Sequence, residues 1–477
     1  MRDLTNREAD GPGAPQQGPV VRRTKSCYDT VRMSKLVRGL TLTSAACLNI
    51  ANMIGTGVFL KARVMTCNVD SPLIVLAVWM AAGVLVLAGA LCYAELATML
   101  PRTGGEYVFI SETYGRRAGF LWGWAYTGIT RPASLAAQSV STAIFLNVVL
   151  DGAMTDHLAL TSVAAILLST LINSVSVRVT GSAATLFTVL KVLLVFAVGC
   201  CAFFLSRGDW VHYAYSGVGG ACEGVPAATR GGLAGIGTAM IGALWGFQGW
   251  ALFAPMAGEV RDAQRNIPRA FVLSVVVVGA LYVFANASYF YALTPLEVAS
   301  VPVSSSVATA MLNRIFGAAA AAAMAAGMLM SSFGALQSGL APAMRVPYVM
   351  AKDGLYFGFL NRVSAAGVPV RAGFFVAFLA SLLALTGNYD RLTDYAVFSL
   401  WLFYGVTASC VIVLRRKQPN APRPYKVLGY PFVPVLFCLV TLVLLVNTLY
   451  TQPVQSLAGL GIIGTGVPFY WYWSRMK

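Results

Sequence analysis

The chain has 477 residues, 57% of them hydrophobic and only 11% charged, with a mean hydropathy of +0.70. A soluble globular chain carries about 25% charged residues, so the composition excludes that class. The formal net charge of +16 raises a nucleic-acid reading, which the placement of the basic residues below removes.

The first 38 residues are polar and rich in Gly and Pro, with no apolar core of a cleavable signal. They read as a disordered cytoplasmic tail. From there on, apolar stretches recur, many near the roughly 20 residues that cross a bilayer as a helix. Twelve spans are expected, near 40–61, 72–99, 117–149, 158–178, 183–206, 235–257, 270–293, 318–350, 370–386, 391–414, 432–451 and 455–474. The uninterrupted run Leu73–Leu91 lacks the alternation of a barrel strand, so the spans are helices. An even number puts both termini on one side. With the N-terminus inside, roughly 26 Lys and Arg residues fall on the cytoplasmic side and roughly 6 outside. The positive charge therefore sets orientation and draws the chain to anionic lipid; no nucleic-acid partner is expected, and the cell membrane is the expected location.

Span one holds "ANMIGTGVFL" (51–60), with Gly55 and Gly57 flanking Thr56. A helix opened in mid-membrane exposes amides and carbonyls that each cost several kcal/mol in lipid if unpaired. Such a break stands only where protein, water or a ligand supplies partners. The amides that start the second half-helix favour an anion such as a carboxylate. Taken alone, the motif also fits plain helix packing through glycine. Asn49 and Asn52 in the same span are expected to bond between helices or line a cavity.

"PRTGGEYVFISETYG" (101–115) joins spans two and three as an organised inner loop. In span three, Arg131 stands beside Pro132. It can snorkel outward, bond to a neighbouring helix or face a pathway; a structural role is expected. Lys191 lies near the centre of span five, in "TLFTVLKVLLVF". A charge there costs about 3 kcal/mol on insertion scales and is a functional candidate by default: it can gain and lose a proton during a cycle, as a coupling residue, or stay charged and brace helices.

The outer loop 208–234 leads to span six, where "GALWGFQGWALFAP" (242–255) again carries glycines, 246 and 249, in mid-span, followed by Pro255. Paired Gly-interrupted spans at corresponding places in two halves point to a transporter site. The alanine run 318–326 with Gly327 suits close helix packing. Nine cysteines are scattered without metal-type spacing. Cys67 and Cys222 both fall outside the membrane, but sequence cannot fix connectivity, and free thiols are the favoured expectation. No hydrolase, phosphate-loop or metal-ligand pattern occurs, so no enzyme, cofactor or metal site is expected. No acidic residue is placed mid-membrane: Glu95 and Glu259 fall near the inner ends of their helices.

Four segments carry a family resemblance. "IGTGVFL" (54–60), "YAELATMLPRTGGEYVFISETYG" (93–115), "LWGFQGWALFAPMAGEVRDAQRNIPRA" (244–270) and "LRRKQPNAPRPYKVLGYPFVP" (414–434) resemble the amino acid–polyamine–organocation superfamily, closest to the L-type amino acid transporters and their bacterial relatives. The resemblance covers nearly everything after about residue 35. It implies an all-α fold of 12 transmembrane helices in a 5+5 inverted repeat of the leucine-transporter type, plus two C-terminal helices. The repeats would be 39–207 and 235–415, followed by an inner loop at 416–431 and the last two helices at 432–477.

It further implies alternating access around a site between helices one, three, six, eight and ten. The substrate carboxylate would meet Thr56, Gly57 and Val58. The ammonium would meet carbonyls near Met53, Trp245 and Gln248, and the binding set comprises Met53, Ile54, Gly55, Thr56, Gly57, Val58, Trp245, Gly246, Phe247, Gln248 and Gly249. Trp245 matches the aromatic that closes over the substrate from outside. Lys191 matches a fifth-helix lysine that, in sodium-independent members, stands where related symporters bind sodium. Its ammonium should lie near the span-one break and Ser331. Gln248 departs from the glycine of many relatives, which leaves substrate size open. The loop "LDGAMTDHLA" (150–159) lacks the cysteine that binds a heavy chain in animal L-type transporters, so no covalent heavy chain is expected.

The functional expectation is a sodium-independent carrier of α-amino acids, neutral ones first, working as an exchanger or with protons. The alternatives are a cationic amino acid or polyamine permease of the same fold and, more remotely, a channel or non-transporting receptor.

Overall fold

The computed structural model describes residues 36–55, 57–216, 219–302, 305–317, 319–385, 389–451 and 453–476. The expected N-terminal tail and Thr56 lie outside them, apart from residues 36–38. The regular structure of the described residues is helical, with one isolated bridge, Leu40 to Val260, and no sheet among them.

In chain order the helices are α1 (Leu42–Met53), α2 (Gly57–Val69), α3 (Pro72–Met99), α4 (Glu106–Tyr114) and α5 (Arg116–Ala125). A π-helical turn, Tyr126–Thr130, carries α5 into α6 (Arg131–Val149). Then come α7 (Leu158–Val175), α8 (Val177–Leu205), α9 (Gly232–Gly246), α10 (Ala263–Ala292), α11 (Pro295–Ala299), α12 (Val307–Phe316), α13 (Ala319–Ala343) and α14 (Arg345–Lys352). Last are α15 (Val370–Ala384), α16 (Tyr389–Lys417), α17 (Phe432–Thr451) and α18 (Pro453–Arg475).

Among the described residues, seven helical segments are each long and apolar enough to cross a bilayer; α1 and α2 taken together would make an eighth, bent by 46°. The boundaries shift from expectation where short breakers decide them. Span one runs on to Val69, so Cys67 sits inside a helix rather than in a loop. Spans four and five meet at Ser176 alone, whose extended backbone and side-chain cap on Val179 start α8 at once. Span eight divides into α13 and α14 at Met344, two residues after Pro342.

Helix α1 sits at the centre, packed by α8, α10 and α13, while α3 pairs with α10 and α6 with α13. Small residues permit these approaches: a Cβ on Gly327 would come within 2.8 Å of Leu194. Long apolar side chains such as Leu160, Leu171, Phe196, Val443 and Leu457 stay exposed on α7, α8, α17 and α18. Such a continuous apolar exterior suits lipid.

The two interrupted segments are tied to each other at both ends. At one end, Leu40 N–H donates to Glu259 O (3.0 Å) and Arg261 N–H to Leu40 O (2.9 Å). At the other, α2 packs on α9, Gly231 N–H donates to Asn68 O (2.7 Å), and Arg63 Nη1 donates to Glu223 O (2.7 Å). Here the expectation of free thiols is corrected: Cys67 and Cys222 form a disulfide across 155 residues of sequence. The extension of α2 to Val69 delivers Cys67 to the loop that precedes α9.

The carboxylates at the helix ends are matched to arginines. Glu259 and Arg345, both fully buried, form a bidentate pair at 2.9 Å. Glu95 accepts from Arg415 at 2.9 and 2.6 Å and from the Val427 amide at 2.7 Å. Fork-shaped pairing of this kind satisfies a buried carboxylate fully, and removing one partner of such a pair is strongly destabilising.

Candidate functional site

The first break follows from residues that end one helix and start another. Ile54 leaves helical geometry (φ −75°, ψ 87°), Gly55 N–H bonds to Met53 O at 2.8 Å, and α2 restarts at Gly57. The second break is longer. Helix α9 ends at Gly246, irregular turns follow, and a 3-10 segment runs Ala254–Glu259. Gly249 takes φ +106°, a conformation open to glycine, and a Cβ there would lie 2.8 Å from Asn52. Pro255 has no amide to place in a helix.

The backbone groups freed by these breaks find specific partners. Asn49 Oδ1 accepts from Phe253 N–H (3.1 Å) in the second break. The Tyr282 hydroxyl lies 2.6 Å from Met53 O and 2.9 Å from Gly246 O. Lys191 Nζ, fully buried, donates to Ala51 O (2.5 Å) and Ile54 O (2.8 Å). Ser331 Oγ donates to Ile54 O (3.1 Å). These bonds replace the lost intrahelical ones, so the opened backbone is affordable in a lipid setting.

Between the breaks lies a cavity of about 90 Å³. Met53, Gly55, Gly57, Trp245, Gly246, Gln248 and Gly249 line it. The breaks approach closely: a Cβ on Gly57 would meet the Gly246 Cα at 3.1 Å and the Trp245 ring at 3.2 Å. Lys61 Nζ stands 4.8 Å from the centroid of the Trp245 ring, a cation–π contact that helps hold the indole.

Three of the expected residues do not line the cavity. Val58 and Phe247 are fully buried in the core, Phe247 against Trp79 and Tyr282. Ile54 turns its carbonyl to Lys191 and Ser331. Lys191 and Ser331 themselves stand behind the first break, outside the cavity wall.

The structure adds residues to the expected binding set: Asn52 and Arg131, for which lining a cavity or facing a pathway is one of the sequence alternatives, and others that the sequence reading does not single out. Arg131, Ser134, Gln138 and Ser141 of α6 all face the cavity, with Asn52, Ser332, Leu400 and Tyr404. Arg131 was expected to serve structure. It does donate weakly, Nε to Gly339 O at 3.3 Å and Nη1 to Ser134 Oγ at 3.4 Å. Its Nη2 has no partner among the described residues, and Gln138 Oε1 and Asn52 Oδ1 are likewise unpaired. The π-helical turn just before it re-aims this part of the helix, a device frequent at functional sites. A signal was present: polar residues at 131, 134, 138 and 141 recur at helical spacing and mark one face. Tyr282 gave none, being one aromatic among many in an apolar span.

Interrupted helices packed around a small polar cavity, inside an all-helical apolar bundle, are an arrangement typical of membrane transporters for small solutes. The sequence profile of the amino acid permease family matches residues 40–471, and the chain belongs to that family. It is 29% identical to the b(0,+)-type amino acid transporter 1 of Mus musculus over 461 residues, covering 95% of this chain and 91% of that protein. It is 30% identical to the large neutral amino acids transporter small subunit 2 of Mus musculus over 453 residues, 92% of this chain and 82% of that protein. It is 28% identical to the serine/threonine exchanger SteT of Bacillus subtilis over 449 residues, 93% of this chain and 98% of that protein.

Proposed function

We propose that this protein is a sodium-independent secondary transporter of neutral α-amino acids, working by exchange, and that the cavity between the two breaks is its substrate site. The observation that carries the reading is the cavity itself, walled by Met53, Gly55 and Gly57 on one side and by Trp245, Gly246 and Gln248 on the other. Amides at the start of α2 lack acceptors within their own helix and suit a carboxylate. Carbonyls at the end of α9 suit an ammonium. Names of relatives bear on the class: amino acid transporters, one of them an exchanger.

The cavity lining supports neutral substrates. Among the described residues it holds no Asp or Glu, and its one charged group is Arg131. A lysine or arginine side chain would find no counter-charge and would meet a guanidinium. Ser134, Gln138, Ser141, Gln248 and Ser332 supply neutral hydrogen-bonding groups around the small volume, which favours short polar or small side chains. Lys191 Nζ, bonded to the first break, offers its carbonyls a side-chain donor without any bound sodium ion.

In this reading the twelve spans form the inverted-repeat fold with both termini in the cytoplasm, and the protein acts without a disulfide-linked heavy chain. Cys67 and Cys222 are both used within the chain, and residues 150–159 contain no cysteine. The test is counterflow in proteoliposomes with a panel of labelled amino acids, in sodium and in sodium-free buffer. Accumulation of serine, threonine or alanine against an internal unlabelled pool, equal in both buffers, is expected. Uptake only of arginine or putrescine, or no countertransport at all, overturns the reading.

A further inference from the structure

Next to the substrate cavity is a second, smaller one that the transport reading does not use. Glu106 lines it, together with Trp122, Tyr126 and Phe403. Leu252, Leu400 and Tyr404 line both cavities and are therefore the wall between them. Glu106 begins α4, in the connection between two membrane-spanning segments, yet its side chain is buried. The other buried carboxylates described above each meet an arginine fork; Glu106 does not. Tyr93 OH donates to its Oε1 at a long 3.3 Å, and Oε2 has no hydrogen-bond partner among the described residues.

The groups facing it come from four elements. They are Tyr93 of α3, Tyr126 of the π-helical turn, Arg131 of α6 and Tyr404 of α16. Its neighbour Tyr107 is turned away, donating to Asp353 at 2.9 Å. Tyr126 OH and Arg131 Nη2 are also unpaired and buried. Unpaired polar groups thus run from the guanidinium in the substrate cavity to the carboxyl in the second one. A buried carboxyl that lacks full pairing favours its neutral form. Here burial raises Glu106 to about 7, against the pull of its own backbone amide, Tyr93 and Arg131.

We propose that Glu106 is a proton-binding site of the transport cycle. The carboxyl holds its proton while the second cavity is walled off from water. When the pathway opens through Leu252, Leu400 and Tyr404, water reaches the carboxyl, the proton leaves to that water, and the carboxylate remains opposite Arg131. Closing reverses both steps. The inference rests on the transporter reading, and it places the proton on a carboxyl beside the pathway.

The test uses the full chain, as wild type, E106Q and E106D. Infrared titration of the purified protein between about pH 5 and about pH 9 reads the carboxyl carbonyl band directly. A band that titrates near pH 7 in wild type, is absent in E106Q and is shifted in E106D is expected. In proteoliposomes the wild-type exchange rate should change several-fold across that same inflection, and E106Q should show a flat profile. Because the folded-state value lies above the free-carboxyl value of 4.5, native protein binds more protons than unfolded between those two values. Thermal stability of wild type relative to E106Q should therefore fall as pH rises from about 4.5 toward about 7. An exchange profile in E106Q with the wild-type inflection, or no carboxyl band lost on E106Q or moved in E106D, overturns the proposal. Should no amino acid undergo counterflow in wild type, the transporter reading fails, whereas the infrared titration still decides the state of Glu106.

Discussion

The Tyr282 hydroxyl lies 2.6 Å from the main-chain oxygen of Met53, and the same oxygen atom of tyrosine is 2.9 Å from Gly246 O. One phenol on α10 thus joins the ends of α1 and α9, the two helices that stop in mid-bundle. Both carbonyls lack the partner that a continuing helix would supply. Tyr282→Phe keeps the ring contacts with Trp79 and Phe247 and deletes only the hydroxyl. Met53 O keeps the Gly55 N–H, so the expected cost is about 1–3 kcal/mol for Gly246 O left without the hydroxyl. It should appear as a lower thermal midpoint together with an exchange rate reduced about tenfold; an unchanged midpoint and rate would show that the joint is dispensable.

Lys191 serves the same break from the other side, through Ala51 O and Ile54 O. Lys191→Ala strips Ala51 O of its lysine donor, leaves Ile54 O with Ser331 Oγ alone, and opens a hole beside Gly334, whose Cβ position is 3.0 Å from the lysine Cε. Exchange should fall at least tenfold, since leaving a buried carbonyl without its donor costs about 1–3 kcal/mol. Lys191→Arg should not rescue it, because a planar fork does not fit the space of a compact ammonium. Full exchange in Lys191→Ala at every pH examined would remove the residue from the mechanism.

Much of this was legible in the sequence, and the parts that were not share a cause. Glycine pairs in spans one and six marked the breaks because glycine is costly in a helix and needs a reason to be there. Lys191 was visible because charge in an apolar span is conspicuous. Tyr282 was not, because a tyrosine among aromatics carries no pattern until the fold aims its hydroxyl. Glu106 was missed because it falls in a loop by hydropathy, and only the folding of α4 back into the bundle buries it. The Cys67–Cys222 pair required knowing that α2 continues to Val69, a boundary that hydropathy blurs.

The two glycines of the first break should respond differently to the same change. A Cβ at Gly57 meets Gly246 Cα at 3.1 Å and Trp245 at 3.2 Å, one of them backbone that cannot swing away. A Cβ at Gly55 has nothing within 4 Å. Gly57→Ala is expected to push the two breaks apart and to lower exchange by about tenfold or more, at a cost of about 1–3 kcal/mol for overpacking. Gly55→Ala should leave the thermal midpoint within the range of an ordinary surface change, about 0.5 kcal/mol. Equal losses in both variants would mean that the breaks do not touch as described.

Gln248 offers a way to read pocket size. Its side chain lines the cavity, while its backbone N–H bonds to Trp245 O at 3.0 Å and would survive substitution. Gln248→Ala removes the amide group without adding the chain freedom that glycine brings. The enlarged cavity should admit branched and aromatic side chains, with leucine or phenylalanine competing about tenfold better for exchange, the scale set by a few apolar carbons newly accommodated. Serine and threonine should compete less well, because a hydrogen-bonding neighbour is gone. A competition profile identical to wild type would place the substrate side chain away from Gln248, against the α6 face of Ser134 and Gln138 instead.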